Sequence, residues 1–378
     1  SIPFSMPTVS GKELQYLKEV IQNPKASGDN LFISRCQNWI ENHTKCQSAL
    51  LTTSCTHALE MMALLLNIQP GDEVIMPSYG FSSTANAFVL RGAKIVFIDI
   101  RQDTLNLDEG LIEAAINART KAIVPVHYAG VACEMDSIMH VANKHGLAVL
   151  EDAAQAMMAT YKGRALGSIG DLGAFSFHVS KNYQCGEGGA ILINNPAFIQ
   201  KAEVIREEGT NRSQFFRGEI DKYTWVDAGS SYILSDLNSA VLFAQIQQAG
   251  KINEARLINW HRYFSNLESL EQSGILERPH IPEYAQHNAH IFYVKLENQC
   301  VRDGLISFLR EHGVCAVFHY VPLHSSPAGR KYGVFHGEDK FTTEESSRLL
   351  RLPLFHGINA MQVDTICDLV ARFFREGV

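Results

Sequence analysis

The chain has 378 residues, 46% of them hydrophobic and 19% charged, with a formal net charge of −7. No block of like charges offers the basic face that nucleic-acid phosphates require, and no apolar run approaches the roughly 20 residues of a membrane helix, so neither partner is expected. Eight cysteines occur without a CxxC pair, which excludes a paired-cysteine metal site and reads as reduced, mostly buried thiols; no metal is expected. The opening Ser1-Ile2-Pro3-Phe4-Ser5 lacks the charged lead and apolar core of a signal peptide, and a cytoplasmic location is expected.

In chain order, Ser48–Thr52 reads as a short strand, and Thr56–Asn67 follows with helical spacing of Leu59, Met62, Leu65 and Leu66. Further short runs lie at Glu73–Met76, Ala93–Ile100, Ala122–His127, Ala148–Glu151, Ala174–His178 and Ala190–Asn194. They are Val/Ile-rich and apolar at successive positions, as strands covered on both faces are. Helices are expected over Leu111–Asn117 and Met135–His145, and the alternation predicts an α/β fold with a mainly parallel sheet. Beyond Phe198 a polar loop, Gly209–Gly218, leads to a helix from Ser235 to Ile252. Then come a helix Glu254–Glu271, a strand His290–Leu296, a helix Asp303–His312, a strand Cys315–Tyr320, and helices Thr342–Leu350 and Met361–Arg375. The order suggests a large domain over residues 1–250 and a smaller α+β domain over 251–378.

Four stretches carry chemistry. Glu151-Asp152-Ala153-Ala154-Gln155 ends an apolar strand in acid, at the carboxyl end of the sheet where open α/β folds bind ligands; the aspartate could equally cap a helix. Lys181 lies between two apolar strands, ahead of Gly186-Glu187-Gly188-Gly189, so it is expected to point into the site those strands border. A lysine so held can have its pKa lowered and act as an amine nucleophile, whereas most lysines are solvated surface residues. Thr52-Thr53-Ser54-Cys55-Thr56 is a small-residue turn between strand and helix, suited to a phosphate or simply to an N-cap. Pro77-Ser78-Tyr79-Gly80-Phe81-Ser82-Ser83-Thr84 puts an aromatic past a strand end, either stacked on a flat heterocycle or filling core.

Phosphate cradle, aromatic platform, acidic partner for a ring nitrogen and amine nucleophile together are what pyridoxal phosphate needs. No Gly-x-Gly-x-x-Gly follows a first strand, which argues against a nicotinamide oxidoreductase. Strand alternation sends His178 to the face opposite Phe177, and it is given no acid–base role.

On these residues the chain resembles the DegT/StrS family of sugar-nucleotide aminotransferases, fold-type I pyridoxal-phosphate enzymes. The resemblance runs from Gly28-Asp29 to the C-terminal helix and rests on Asp152-x-x-Gln155, Ser176-Phe177-His178-x-x-Lys181-Asn182 and Gly186-Glu187-Gly188-Gly189. It implies that Lys181 is the Schiff-base lysine, Asp152 the carboxylate on the pyridine nitrogen, and Gln155 the side chain by the 3-hydroxyl. It implies further that Ser176 and the Cys55-Thr56 turn bind the phosphate and that Phe81 stacks on the ring. Cys55-Thr56 stands where the family usually has Gly-Thr, and Ser231 stands where many members have an asparagine reaching the neighbouring subunit's phosphate. Lys181 is intact where sugar-dehydrating relatives have histidine. The family implies a homodimer with shared active sites, L-glutamate as amino donor and a keto-sugar nucleotide as acceptor. The stretches Pro125–Asp136, Gly209–Gly218 and Phe318–His324 look like the branch acting on dTDP-4-oxo-6-deoxy-D-glucose, and through them Asn211, Arg212 and His324 are implied as substrate contacts. Amination of a 3-oxo sugar nucleotide, or a gluco rather than galacto product, is the alternative within the family; a non-catalytic pyridoxal-phosphate-binding regulator is the alternative outside it.

Overall fold

A computed structural model describes residues 1–22 and 31–376; Gly28-Asp29, where the resemblance begins, lies outside the described residues. The strands are β1 (Ser48–Thr52), β2 (Glu73–Pro77), β3 (Lys94–Ile98), β4 (Thr120–Ile123), β5 (Ala148–Asp152), β6 (Thr160–Tyr161) and β7 (Arg164–Ala165). They continue with β8 (Leu172–Ser176), β9 (Gly189–Ile193), β10 (Ala285–Gln286), β11 (Phe292–Lys295), β12 (Val317–Phe318), β13 (Gly333–Phe335) and β14 (Leu349–Leu352). One large sheet has the order β1-β9-β8-β5-β4-β2-β3-β13. From β8 to β13 neighbours pair parallel, while β9 runs antiparallel to both β1 and β8. This is the fold-type I α/β architecture.

The near-continuous apolar runs follow from burial on both faces. In β9, Ala190 and Leu192 join one core with the helices Leu31–Thr44 and Met135–His145. Ile191 and Ile193 join another, with the helices Cys55–Leu65 and Ile199–Arg206. Each fully buried Val, Ile or Leu contributes roughly 1.5–3 kcal/mol, so a one-residue slip of register would be costly.

A separate antiparallel sheet, β11-β14-β12, packs with the helices Ala249–Asn266, Gln299–Glu311 and Ala360–Glu376 around a third core. The chain also returns to the large sheet: β13 adds beside β3 although it lies beyond residue 250. Among the described residues no helix is long and apolar enough to cross a membrane.

Several elements differ from expectation. The helix expected over Leu111–Asn117 is a 3-10 turn, Glu109–Leu111, and one α turn, Ile112–Ala115. The helix expected from Ser235 to Ile252 is two, Asp236–Ile246 and Ala249–Asn266. The helix expected over Thr342–Leu350 stops at Arg348, because Leu349 pairs with Lys295 in a sheet that local sequence does not reveal. Helix Glu13–Gln22 and the short β6, β7, β10 and β13 gave no signal that was read.

The β8–β9 hairpin matters most for the site. Its last pair, Ser176 opposite Gly189, closes a loop over residues 177–188 that carries Lys181. A Cβ at Gly189 would lie 2.4 Å from the Cys55 nitrogen, so only glycine lets the hairpin pack on the turn that starts helix Cys55–Leu65. Gly189→Ala is therefore expected to destabilise the protein by about 1–3 kcal/mol and to weaken pyridoxal phosphate binding. Denaturant unfolding and a spectral titration with the cofactor check both.

Candidate active site

A cavity of about 420 Å³ opens at the carboxyl ends of the parallel strands. Lys181, Asp152, Gln155, Ser176, Cys55, Thr56 and Phe81 all line it. Four distant stretches of sequence thus meet in one place.

Asp152 ends β5 with its carboxylate buried, accepting a hydrogen bond from the Thr84 hydroxyl at 2.5 Å and from the Ala154 N–H at 3.1 Å. No helix starts behind it, so it is not a helix cap. Its neighbour Glu151 takes the opposite face, as strand alternation requires. There its carboxylate is fully buried, accepts the N–H groups of Gly167, Ile169 and Gly170, and meets His127 Nε2 at 3.0 Å. One acid faces the cavity and the other ties β5 to the next loop. Gln155 is held between the Ala129 N–H, which donates to its Oε1 at 2.7 Å, and the Tyr320 hydroxyl, to which its Nε2 donates at 3.2 Å.

Lys181 is partly buried, and its loop is pinned by the next residue. Asn182 donates to the Asn288 carbonyl at 3.0 Å, its side-chain oxygen meets His290 Nδ1 at 2.8 Å, and its own carbonyl accepts from Thr8. Burial lowers the Lys181 pKa from its ordinary value; Asp152 opposes the shift and the Arg351 charge adds to it. Cys55, whose thiol burial pushes well above its ordinary value, stays neutral and supplies no counter-charge.

The phosphate-type turn is an N-cap as well. Ser54 is extended, and its hydroxyl accepts from the His57 N–H at 3.1 Å, while Thr56 donates to Ser83 at 3.0 Å. The cap leaves the N–H groups of the first turn available at a helix N-terminus, where an anion is favoured. Phe81 lies at the cavity mouth, 64% exposed, whereas Tyr79 from the same stretch is core.

Four expected contacts lie outside this cavity wall. Ser231 is exposed and bridges to Glu207. Asn211 accepts from the Thr224 N–H, and the Arg212 guanidinium lies over the Phe216 ring, 5.1 Å from its centroid. His324 is held 2.7 Å from the Ser78 hydroxyl and 3.2 Å from Asp339. Conversely, the wall includes His178, His290, His319, Tyr320 and Arg351, which were given no role. Tyr79 and Tyr128 bond to each other and to His319, and burial pushes the Tyr128 hydroxyl up to about 12. Burial likewise lowers the pKa values of His290 and His319, so both rings are neutral near pH 7. An arginine inside the apolar run Leu349-Leu350-Arg351-Leu352-Pro353-Leu354 was the one sequence signal for this wall that went unread.

The model for the DegT/DnrJ/EryC1/StrS aminotransferase family matches residues 7–371. The chain belongs to this family. It is 32% identical over 377 residues to the spore coat polysaccharide biosynthesis protein SpsC of Bacillus subtilis, covering 98% of this chain and 96% of that one. Among solved structures, DesV of S. venezuelae superposes with a TM-score of 0.85 at 28% identity, covering 98% of each chain. Spr1654 of Streptococcus pneumoniae in its PLP form does so with a TM-score of 0.86 at 24% identity, covering 100% of this chain and 99% of the other. As a DegT/StrS family member the protein is a pyridoxal-phosphate-dependent aminotransferase. The residues present suit that cofactor: a capped helix N-terminus for phosphate, a buried carboxylate for a protonated ring nitrogen, and an amine whose proton is loosely held.

Lys181 must lose a proton before its nitrogen can attack an aldehyde. Because its pKa is depressed, capture of pyridoxal phosphate by cofactor-free protein is expected to rise with pH through a midpoint below the ordinary lysine value. The folded chain binds fewer protons at this site than the unfolded chain between the two pKa values, so stability rises with pH across the same window. Stopped-flow absorbance against pH checks the midpoint, and Lys181→Met removes both dependences.

Proposed function

We propose that the protein transfers the amino group of L-glutamate to a keto-sugar nucleotide, converting dTDP-4-dehydro-6-deoxy-D-glucose to a dTDP-4-amino-4,6-dideoxy-hexose. The observation that carries the transamination reading is a partly buried lysine of lowered pKa sharing one cavity with the buried carboxylate of Asp152. A sugar substrate is supported by the extensive likeness to a protein named for polysaccharide biosynthesis. The 4-oxo acceptor rests on the resemblance of Pro125–Asp136, Gly209–Gly218 and Phe318–His324 to that branch of the family; the first and third stretches reach the cavity, where Ala129 and Tyr320 hold Gln155.

Pyridoxal phosphate, when bound, supplies an aldehyde that captures amines and a ring that accepts electrons from the adjoining carbon. Lys181 holds it through Nζ and, once released, takes a proton from the substrate carbon that carries the nitrogen and returns it on the other side of the transfer. Asp152 keeps a proton on the ring nitrogen, and the Thr84 hydroxyl fixes which way its carboxylate faces. Gln155, Phe81, Ser176 and the Cys55-Thr56 turn line the same cavity, where Gln155 would meet the ring's 3-hydroxyl, Phe81 would stack on the ring, and the turn with Ser176 would hold the phosphate. Ser231, Asn211 and Arg212 serve the site of a second copy in a homodimer. Exposed aromatics on the same loop support such a contact: Trp225 is 77% and Phe216 65% exposed.

Purified protein is expected to aminate dTDP-4-oxo-6-deoxyglucose with L-glutamate, and NMR of the product reads the carbon and its configuration. An amine at C3 would shift the reading to a 3-oxo acceptor. In Lys181→Ala, turnover should fall at least roughly a thousandfold while circular dichroism stays native. Undiminished turnover in that variant overturns the assignment.

A further inference from the structure

Arg351 sits in the middle of β14, opposite Tyr293 of β11 and Val317 of β12. Its strand neighbours Leu350 and Leu352 belong to the third core, while Arg351 reaches the wall of the cavity. The guanidinium is held from two sides. The Phe4 ring centroid lies 4.6 Å from its central carbon, and one terminal nitrogen donates to the Phe318 carbonyl at 3.1 Å. Phe4 is kept there because Ile2 bridges to Val314, with its N–H on the Gly313 carbonyl at 2.7 Å. An arginine has five N–H donors; among the described residues this one has a single protein acceptor, and its enclosed Nε meets none. Arg348, which braces the same region, also leaves its Nε unpartnered but places its terminal nitrogens on the Leu296 carbonyl, Glu277 and Glu345, whereas those of Arg351 meet the Phe318 carbonyl alone among the described residues.

The charge around it sharpens the point. Of the basic residues lining the cavity among the described residues, Lys181 would be taken up by the cofactor, His178, His290 and His319 are imidazoles, the last two neutral, and Arg351 is the guanidinium that stays charged. Its field reaches Lys181, whose proton it helps to expel. We propose that Arg351 binds a carboxylate of the acidic amino donor and so selects the molecule that delivers nitrogen. This inference rests on the aminotransferase reading above and names one substrate contact within it. A nucleotide diphosphate is also an anion. However, the sugar ring separates it from the carbon that receives nitrogen, whereas an amino acid carries its α-carboxylate on the reacting carbon itself. A cation whose field reaches Lys181 therefore suits the donor better.

The two half-reactions separate these occupants. Bleaching of the cofactor's visible band by L-glutamate reads the donor half, and its return on adding the keto-sugar nucleotide reads the acceptor half. Calorimetric titration with 2-oxoglutarate reads carboxylate binding without turnover. In Arg351→Gln the half-saturating L-glutamate concentration and the 2-oxoglutarate dissociation constant should each rise roughly 10- to 100-fold, the range for losing a hydrogen bond to a charged group. Arg351→Lys should recover part of the loss, and the pH midpoint for cofactor capture should move up in Arg351→Gln. If Arg351→Gln fails to load cofactor, Arg351→Lys decides: its dissociation constants must still exceed those of the unaltered protein. Unaltered saturation by L-glutamate, or a loss confined to the nucleotide half, overturns the inference and leaves the enzyme reading standing. An unaltered protein that responds to no amino acid overturns that reading itself.

Discussion

The site depends on taking one amine out of water opposite one carboxylate. Burial weakens the hold of Lys181 on its proton, Arg351 weakens it further, and Asp152 keeps the shift within bounds. An exposed lysine would stay protonated near pH 7 and make a poor nucleophile. A lysine buried without a counter-charge would cost more to fold. The hairpin between β8 and β9 resolves the conflict by closing a pinned loop at the strand ends beside Asp152, with Asn182 fastened on three sides.

Rigid placement of the carboxylate comes from strand alternation. Glu151 and Asp152 are consecutive acids at the end of β5, and the pleat sends them to opposite faces. Glu151 spends its charge on three backbone N–H groups and His127, which anchors the loop after β7 to the strand. Asp152 is then free to face the cavity, with Thr84 from a different helix setting its angle. Gly189 brings the phosphate turn against the hairpin at a distance no side chain allows.

The C-terminal part of the chain supplies the opposite wall. Tyr320 meets Gln155, His319 joins the Tyr79–Tyr128 pair, and Arg351 presents its guanidinium beneath Phe4. Lys181, Asp152, Gln155, Ser176, Cys55, Thr56 and Phe81 come from the first half of the chain, and His290, His319, Tyr320 and Arg351 on the facing wall from the second.

The amino-acid sequence by itself determined the parallel sheet and one wall of the cavity, because both rest on local patterns. Apolar runs at strand length, an acid or small-residue turn at their ends, and a lysine before a glycine-rich turn are contiguous signals. They placed Lys181, Asp152, Gln155, Ser176, Cys55, Thr56 and Phe81 around one cavity. Only the tertiary structure decided what faces them. Leu349 becomes strand because Lys295 lies beside it, β13 returns to the large sheet, and Arg351 reaches a cavity lined also by residues as far off in the chain as Cys55, Asp152 and Lys181. Ser231, Asn211, Arg212 and His324 lie outside the cavity wall of a single chain. The physical reason is range: hydrophobic periodicity and turn chemistry act over a few residues, whereas the opposing wall is set by packing between segments that carry no mark of one another.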